Sequence, residues 1–198
     1  MPIDTSARCL EAPLRDSDAD RLRGALRTFA TGVTVVTSAG EAAPCGVTAN
    51  AFTPVSLVPP LVLVCLNATS SAAGTIARNR VFAVNVLSTD QEWLSHRFAS
   101  PARPRGRAAF GGVPHRAGAT GAPILDGVTG WLDCRLDAMH VAGDHVIAFG
   151  AVVDFDGDLG REPLVFHAGR YRLVCDHTAL QSAPSSPTPS HVQGGEIP

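Results

Sequence analysis

The stretch Pro59-Pro60-Leu61-Val62-Leu63-Val64-Cys65-Leu66 constrains this chain more than any other. The proline pair forbids helix, because each ring lacks an N–H and pushes the preceding residue out of the α region. The run that follows is apolar on both faces a strand can present, so it reads as a buried central strand. Other strand-like runs lie close by as hairpins. Val33-Thr34-Val35-Val36-Thr37 is β-branched, Ser38-Ala39-Gly40-Glu41 reads as a turn, and Cys45-Gly46-Val47-Thr48 answers it. Phe82-Ala83-Val84-Asn85-Val86 is another strand. Residues 131–141 alternate, with Leu132, Cys134, Leu136 and Ala138 on one face and Asp133, Arg135 and Asp137 on a wet one. Residues 146–153 and 163–171 supply the last strands. Strands beside strands, without regular crossover helices, predict a mainly β chain. The expected form is a small antiparallel barrel rather than a doubly wound sheet.

Three short helices punctuate this pattern. Ser17 or Asp18 is the expected cap of a helix whose Leu22, Ala25, Leu26 and Phe29 form one apolar stripe. A second helix is expected over residues 70–78. The third follows a capping box, Ser88-x-x-Gln91, and carries Trp93, Leu94 and Phe98. Residues 50–54 are expected to leave the sheet, and residues 99–122, rich in Pro, Gly and Arg, to form a long loop.

With 198 residues, the chain suits one domain with length left for tails. The expected division is an N-terminal arm over residues 1–17, a domain over 18–176, and a Ser/Pro/Gly-rich, disordered tail over 177–198. The formal net charge is −2 and no long basic run occurs, so nothing favours nucleic acid. No apolar run approaches the roughly 20 residues of a membrane span, and no secretory signal is visible. Five cysteines, an odd number without a C-x-x-C pair, argue against a disulfide framework or a zinc site and suit the cytoplasm.

Three constellations can carry chemistry. Residues 46–52, Gly46-Val47-Thr48-Ala49-Asn50-Ala51-Phe52, end a strand in small residues beside an asparagine. Their backbone N–H and C=O groups suit a planar heterocycle, and they equally suit an ordinary turn with Asn50 bonded to its own backbone. Asn67-Ala68-Thr69-Ser70-Ser71 opens a helix, where hydroxyls and free N–H groups serve either as an anion site or as a plain cap. His145, presented by Gly143-Asp144, and Tyr171, following Gly169, stand at strand ends. Each is read either as a ligand contact or as a structural residue. No serine-hydrolase elbow, dinucleotide fingerprint or phosphate-binding Walker loop occurs.

Taken together, these segments resemble the short-chain flavin reductases, the reductase components of two-component flavin-dependent monooxygenases. The resemblance runs over about residues 20–175. It is carried by residues 29–37, residues 46–52, Val55-Ser56-Leu57 with Pro59-Pro60-Leu61-Val62, residues 82–87 with Gln91, Gly143-Asp144-His145, and Pro163-Leu164 with Gly169-x-Tyr171. It implies a split β-barrel homodimer with flavin near the subunit interface. It also implies an NAD(P)H-dependent flavin reductase (EC 1.5.1.-) that reduces FAD or FMN with NADH or NADPH and passes reduced flavin to a partner monooxygenase. Thr31, Gly32, Thr48, Ala49, Asn50, Ala51, Cys65, Leu66, Asn67, Ser70 and Ser71 match the flavin-binding positions. His145 and Tyr171 match those flanking the nicotinamide, with no residue acting as acid or base and no metal. The family often carries Ser at the position of Ala51 and Thr at that of Ala72. Arg103, Arg105 and Arg107 stand either as a compensating pyrophosphate contact or as a solvated loop. The alternatives are a split-barrel oxidase and a non-catalytic flavin carrier.

Overall fold

The computed structural model describes residues 15–175. Helix α1 (Asp16–Leu26) leads into strands β1 (Thr31–Gly32), β2 (Thr34–Ser38), β3 (Cys45–Ala49), β4 (Phe52–Leu57) and β5 (Pro60–Asn67). Then come α2 (Ser71–Asn79), β6 (Val81–Val86), α3 (Glu92–Ala99), β7 (His115–Ala117), β8 (Pro123–Leu125), β9 (Gly130–Ala142), β10 (His145–Gly157), β11 (Val165–His167) and β12 (Arg170–Arg172). The expected arm and tail lie outside the described residues, except that Asp16 and Ser17 already form the first turn of α1.

The main sheet has seven antiparallel strands in the order β3-β2-β6-β9-β10-β5-β4. Its two edges, β3 and β4, are consecutive in sequence and joined by Asn50-Ala51 alone. In a flat sheet those edges would stand about 28 Å apart. The chain from Ala49 to Phe52 reaches at most about 11 Å. The sheet therefore curls until these ends of its two edges come together in a seam, while the Ala51 carbonyl accepts the Cys65 N–H at 2.9 Å and extends the β4–β5 ladder to the link. This is the mainly β antiparallel barrel that the hairpins predict, in the split form that the resemblance implies, with the ring left open.

One face of the sheet packs Val36, Val62, Val64, Leu66, Phe82, Val84, Leu136 and Ala148 around Ala73 and Ile76 of α2. The other packs Val33, Val35 and Leu87 against Leu94 and Phe98 of α3. α2 starts on the Ser70 hydroxyl, which accepts the Ala72 N–H, and ends at Arg80 in the left-handed region. The Ser88–Gln91 capping box is present ahead of α3.

Several expectations are corrected. Residues 52–57 do not leave the sheet. They form β4, an edge strand, where Pro54 removes no needed ladder bond. β5 is next to that edge rather than central. Val62, Val64 and Leu66 are buried, whereas Leu61, Leu63 and Cys65 are only half-buried in one chain. The α1 stripe is not covered: Leu22, Leu26 and Phe29 are exposed, and no residue of α1 is buried. Its N-cap is Arg15; Ser17 and Asp18 lie within the helix, and Asp18 pairs with Arg15 and Arg21 instead.

Asp133 is not on a wet face. It is fully buried, and its carboxylate accepts the Thr120 N–H at 2.7 Å and the Thr120 hydroxyl. The covering comes from residues 99–122, which are not a free loop. A 3-10 turn (Gly106–Phe110) buries Ala109 and Phe110, and the β7–β8 ribbon follows. Arg97 pins that turn to α3 through the Ala109 and Gly111 carbonyls, at 3.0 and 2.8 Å.

The described cysteines are free thiols. Burial raises the Cys45 pKa to about 11, opposed by a hydrogen bond with Thr75, and raises that of Cys134 to about 12, reinforced by Asp133. Neither is a thiolate nucleophile at neutral pH.

Candidate flavin and nucleotide site

The seam brings functional groups together. On β3 the side chains alternate, so Ala49 packs into the core beneath while Thr48 faces α3. The Thr48 hydroxyl donates to the Ser95 carbonyl at 2.7 Å, and the Ser95 hydroxyl shares a 2.9 Å hydrogen bond with the Tyr171 hydroxyl. The Tyr171 ring is fixed edge-on by Phe166 and His96, with centroids 5.4 and 5.3 Å away. A cavity of about 210 Å³ opens between Thr48, Asn50, Ser95, Phe166 and Tyr171. A second hollow, of about 250 Å³, lies on the other side of Asn50 and Phe166 and is bounded by Arg27, Phe29 and Gly169.

The strand pair that carries Tyr171 turns through Ala168 and Gly169, both at positive φ (51° and 78°). A two-residue turn of this kind matches the twist of a hairpin and favours glycine at its second position. The Ala168 N–H donates to the Arg27 carbonyl at 3.1 Å, so this turn is clasped to the end of α1. β11 also pairs with β1, which sets Thr31 opposite Phe166 and Gly32 opposite Val165. The Thr31 hydroxyl is buried and has no partner, alone among the buried side-chain polar atoms of the described residues. An orphaned buried hydroxyl is costly unless a ligand completes it. Thr31 pairs with Phe166, a wall of both hollows, and Thr48, Asn50 and Ser95 line the smaller one, so the residues present fit a heterocycle with N–H and C=O edges such as a flavin.

The end of β5 forms the other half of the arrangement. Leu66 is buried in the core and offers only backbone, while Cys65 is held to Ala51 through its N–H. The Asn67 side chain accepts the Thr69 N–H and hydroxyl at 2.9 and 2.6 Å, shaping the turn into α2. Ser70 caps the helix, and exposed Ser71 lines a cleft with Thr75, Arg103 and Arg105. His145 opens β10 opposite Asn67. Its Nδ1 lies 2.7 Å from the Asp144 carboxylate. That hydrogen bond, then the charge of His145, holds the Asp144 carboxyl below its ordinary range.

The structure thus gathers Thr48, Asn50 and Tyr171 around one cavity and sets Thr31 and Gly32 beside its Phe166 wall. It places Cys65, Asn67 and His145 at the adjoining end of β5 and β10. His145 and Tyr171 stand in different sheets. Sequence reasoning missed Ser95 and Phe166. Ser95 was findable, since it sits between Leu94 and Phe98 on the stripe that the capping box launches. Phe166 had no distinguishing signal beyond strand propensity. No group of three His, Cys, Asp or Glu among the described residues could hold a metal.

A mostly antiparallel open barrel with a hydroxyl-lined seam defines a class of ligand-binding split barrels, and similarity to known proteins narrows it. Residues 26–174 match the flavin reductase like domain. The chain is 38% identical over 154 residues to the reductase subunit HsaB of a flavin-dependent monooxygenase from Rhodococcus jostii, covering 78% of this chain and 77% of that protein. It is 39% identical to an NADH-dependent FAD reductase from Streptomyces globisporus, covering 78% and 85%. Among solved structures, the flavin reductase component of a bacterial two-component tryptophan halogenase superposes with a TM-score of 0.76 at 40% identity, covering 81% of this chain and all of that one. The chain belongs to the flavin reductase family.

Proposed function

We propose that this chain is an NAD(P)H:flavin oxidoreductase that reduces FAD or FMN and supplies the reduced flavin to a separate monooxygenase. The observation that carries the reading is the seam, where the Thr48–Ser95–Tyr171 network and Asn50 line one cavity and Thr31, with its orphaned hydroxyl, pairs with the Phe166 wall. The relatives' names support the reaction. One is a monooxygenase reductase subunit, another an NADH-dependent FAD reductase, and a third an FMN reductase (NADH).

The flavin supplies the hydride acceptor when bound, and the nicotinamide supplies the hydride. The chain's own work is positioning. Thr31, Thr48 and Asn50 offer hydrogen bonds to the heterocycle edge, together with the backbone of Gly32, Ala49, Ala51, Cys65, Leu66 and Asn67. Ser70, Ser71 and the N-terminus of α2 favour the phosphate end. His145, oriented by Asp144, and Tyr171, oriented by Ser95, are the nicotinamide-side groups. No acid–base step is needed.

The same reading includes a homodimer. Leu61, Leu63 and Cys65 on β5 are half-buried, Leu57 and Val58 at the β4–β5 turn are 90% and 92% exposed, and Phe155 farther along β10 is 70% exposed. An apolar face of this kind is the surface a second copy covers. No helix among the described residues is long and apolar enough to cross a membrane. We place the protein in the cytoplasm on its free thiols.

The test is to follow the near-ultraviolet absorbance of NADH and of NADPH as FMN, FAD and riboflavin are added in turn. Oxidation should require flavin. Nucleotide oxidation without flavin dependence, or none at all, would refute the reading. A yellow protein that leaves both nucleotides untouched would be a carrier.

A further inference from the structure

We propose that the outer edge of β10 is closed by its own side chains. Asp154 and Asp156 occupy the outward amides of Phe155 and Gly157, so the edge does not take up a strand from a second copy of this chain. The inference stands apart from the flavin reductase reading and from the face proposed for the dimer.

β5 runs beside β10 only as far as Ala151, which pairs with Leu61. From Val152 to Gly157, β10 has β9 on one side and, among the described residues, no strand on the other. That is about 20 Å of open edge, long enough to seat another strand. Val153, Phe155 and nearby Leu159 are exposed. An open apolar edge of this length is a template for pairing with a neighbouring chain.

The ladder fixes which groups point outward. The Asp158 N–H donates to the Thr129 carbonyl at 2.7 Å. In an antiparallel pair, alternate residues bond the same neighbour. Asp156 opposite Trp131 and Asp154 opposite Asp133 share that register, so their backbones bond β9. The amides of Phe155 and Gly157 therefore face the open side. Each is taken by the carboxylate just before it. The Phe155 N–H donates to Asp154 at 3.0 Å, and the Gly157 N–H donates to Asp156 at 2.8 Å. Neither carboxylate is in an ion pair among the described residues. An arriving strand must first displace both of them. An aspartate kept only for solubility would have no reason to turn back onto its own strand.

Two further features act in the same direction. The register shifts between Val152 and Asp154, which leaves Val153 as an extra residue that bends the edge. Pairing of two such edges about a two-fold axis would also bring the carboxylates of one copy beside those of the other, at a strand spacing of about 4.8 Å. The face proposed for the dimer lies out of the plane of these amides, so covering it does not cover the edge.

The test compares the full chain with Asp154→Ala/Asp156→Ala, Asp156→Ala and Glu162→Ala. Glu162 is exposed, and its substitution removes the same charge as Asp156→Ala without freeing an amide. Sedimentation velocity over a range of concentrations reads assembly, amide hydrogen exchange reads the edge, and melting temperature controls for folding. The double variant should assemble beyond the parent's own state at about tenfold or more lower concentration. The Phe155 and Gly157 amides should exchange faster than in the parent when the variant is dilute, and become protected as it assembles. Asp156→Ala should show the same change in smaller measure at Gly157, and it carries the test if the double variant does not fold. A folded double variant that sediments like the parent overturns the proposal. So does Glu162→Ala assembling as readily as Asp156→Ala, because the effect would then be one of net charge. Assembly that leaves the two amides unprotected uses another surface and also overturns it.

Discussion

Asn50 and His145 sit at different places in the site, and their roles separate experimentally. Asn50 lines both hollows at the seam, where the proposed flavin edge would lie. His145 stands at the start of β10 with Asp144 fixing its ring. His145→Ala should raise the Michaelis constant for the reduced nucleotide about 5- to 150-fold while leaving flavin affinity near normal. Asn50→Ala should do the reverse. Flavin binding, thermal stability and both Michaelis constants, measured for each variant, separate these outcomes. A His145→Ala protein with a lower melting temperature and both constants impaired together would make His145 a structural turn residue. At this scale the sequence was most legible where a residue type is unusual for its place: an Asn at a strand end, a His after Gly-Asp, a Tyr after Gly. It was least legible for Ser95 and Phe166, because a serine on a helix and a phenylalanine in a strand are ordinary. Their roles come only from what the fold sets opposite them.

Among the elements, periodic segments were readable and wrapping ones were not. β3, α2 and α3 bury one face against a neighbour and β2 and β6 bury both, and either leaves a pattern in the sequence. β4 was hidden because Pro54 reads as a strand breaker, and only the edge position makes it tolerable. Residues 99–122 were hidden because their elements, a 3-10 turn and the three-residue β7, are too short to leave a period. Asn85 ties down β8, the strand that follows them. It is fully buried, its amide donates to the Val35 carbonyl at 3.0 Å and to the Thr37 hydroxyl at 3.1 Å, and its oxygen accepts the Leu125 N–H at 2.8 Å. Asn85→Ala should destabilise by about 2–4 kcal/mol, since it strands the buried Leu125 N–H and empties the bridge between β6 and β8. Chemical denaturation checks this, and a loss under 1 kcal/mol, roughly the net worth of one ordinary hydrogen bond, would show that the bridge is dispensable. Glycine also matters where β3 approaches α3. A Cβ on Gly46 would lie 2.5 Å from the fully buried Phe98 ring, which explains why β3 can pass so near α3 and carry Thr48 to Ser95.

For the molecule as a whole, the two-sided apolar run at residues 61–66 was read as a central strand, but it lies one place from the sheet edge with one face half-covered. The apolar pattern was real, and the proposed second copy would supply the cover that one chain lacks. The protein should therefore sediment as a dimer at micromolar concentration, and Leu57→Asp with Phe155→Asp should shift it toward monomer without unfolding it. A monomeric parent chain would refute that assembly. The curled sheet whose edges meet at Asn50-Ala51 places the proposed flavin seam beside this face.

The most direct test of the central claim is anaerobic. The purified chain is mixed with excess flavin and a limiting amount of NADH, then of NADPH, and the absorbance of both partners is followed together. Flavin should bleach in step with nucleotide oxidation, one flavin for each nucleotide consumed. Flavin that stays oxidised with either nucleotide, or nucleotide consumed without bleaching, would contradict a flavin reductase.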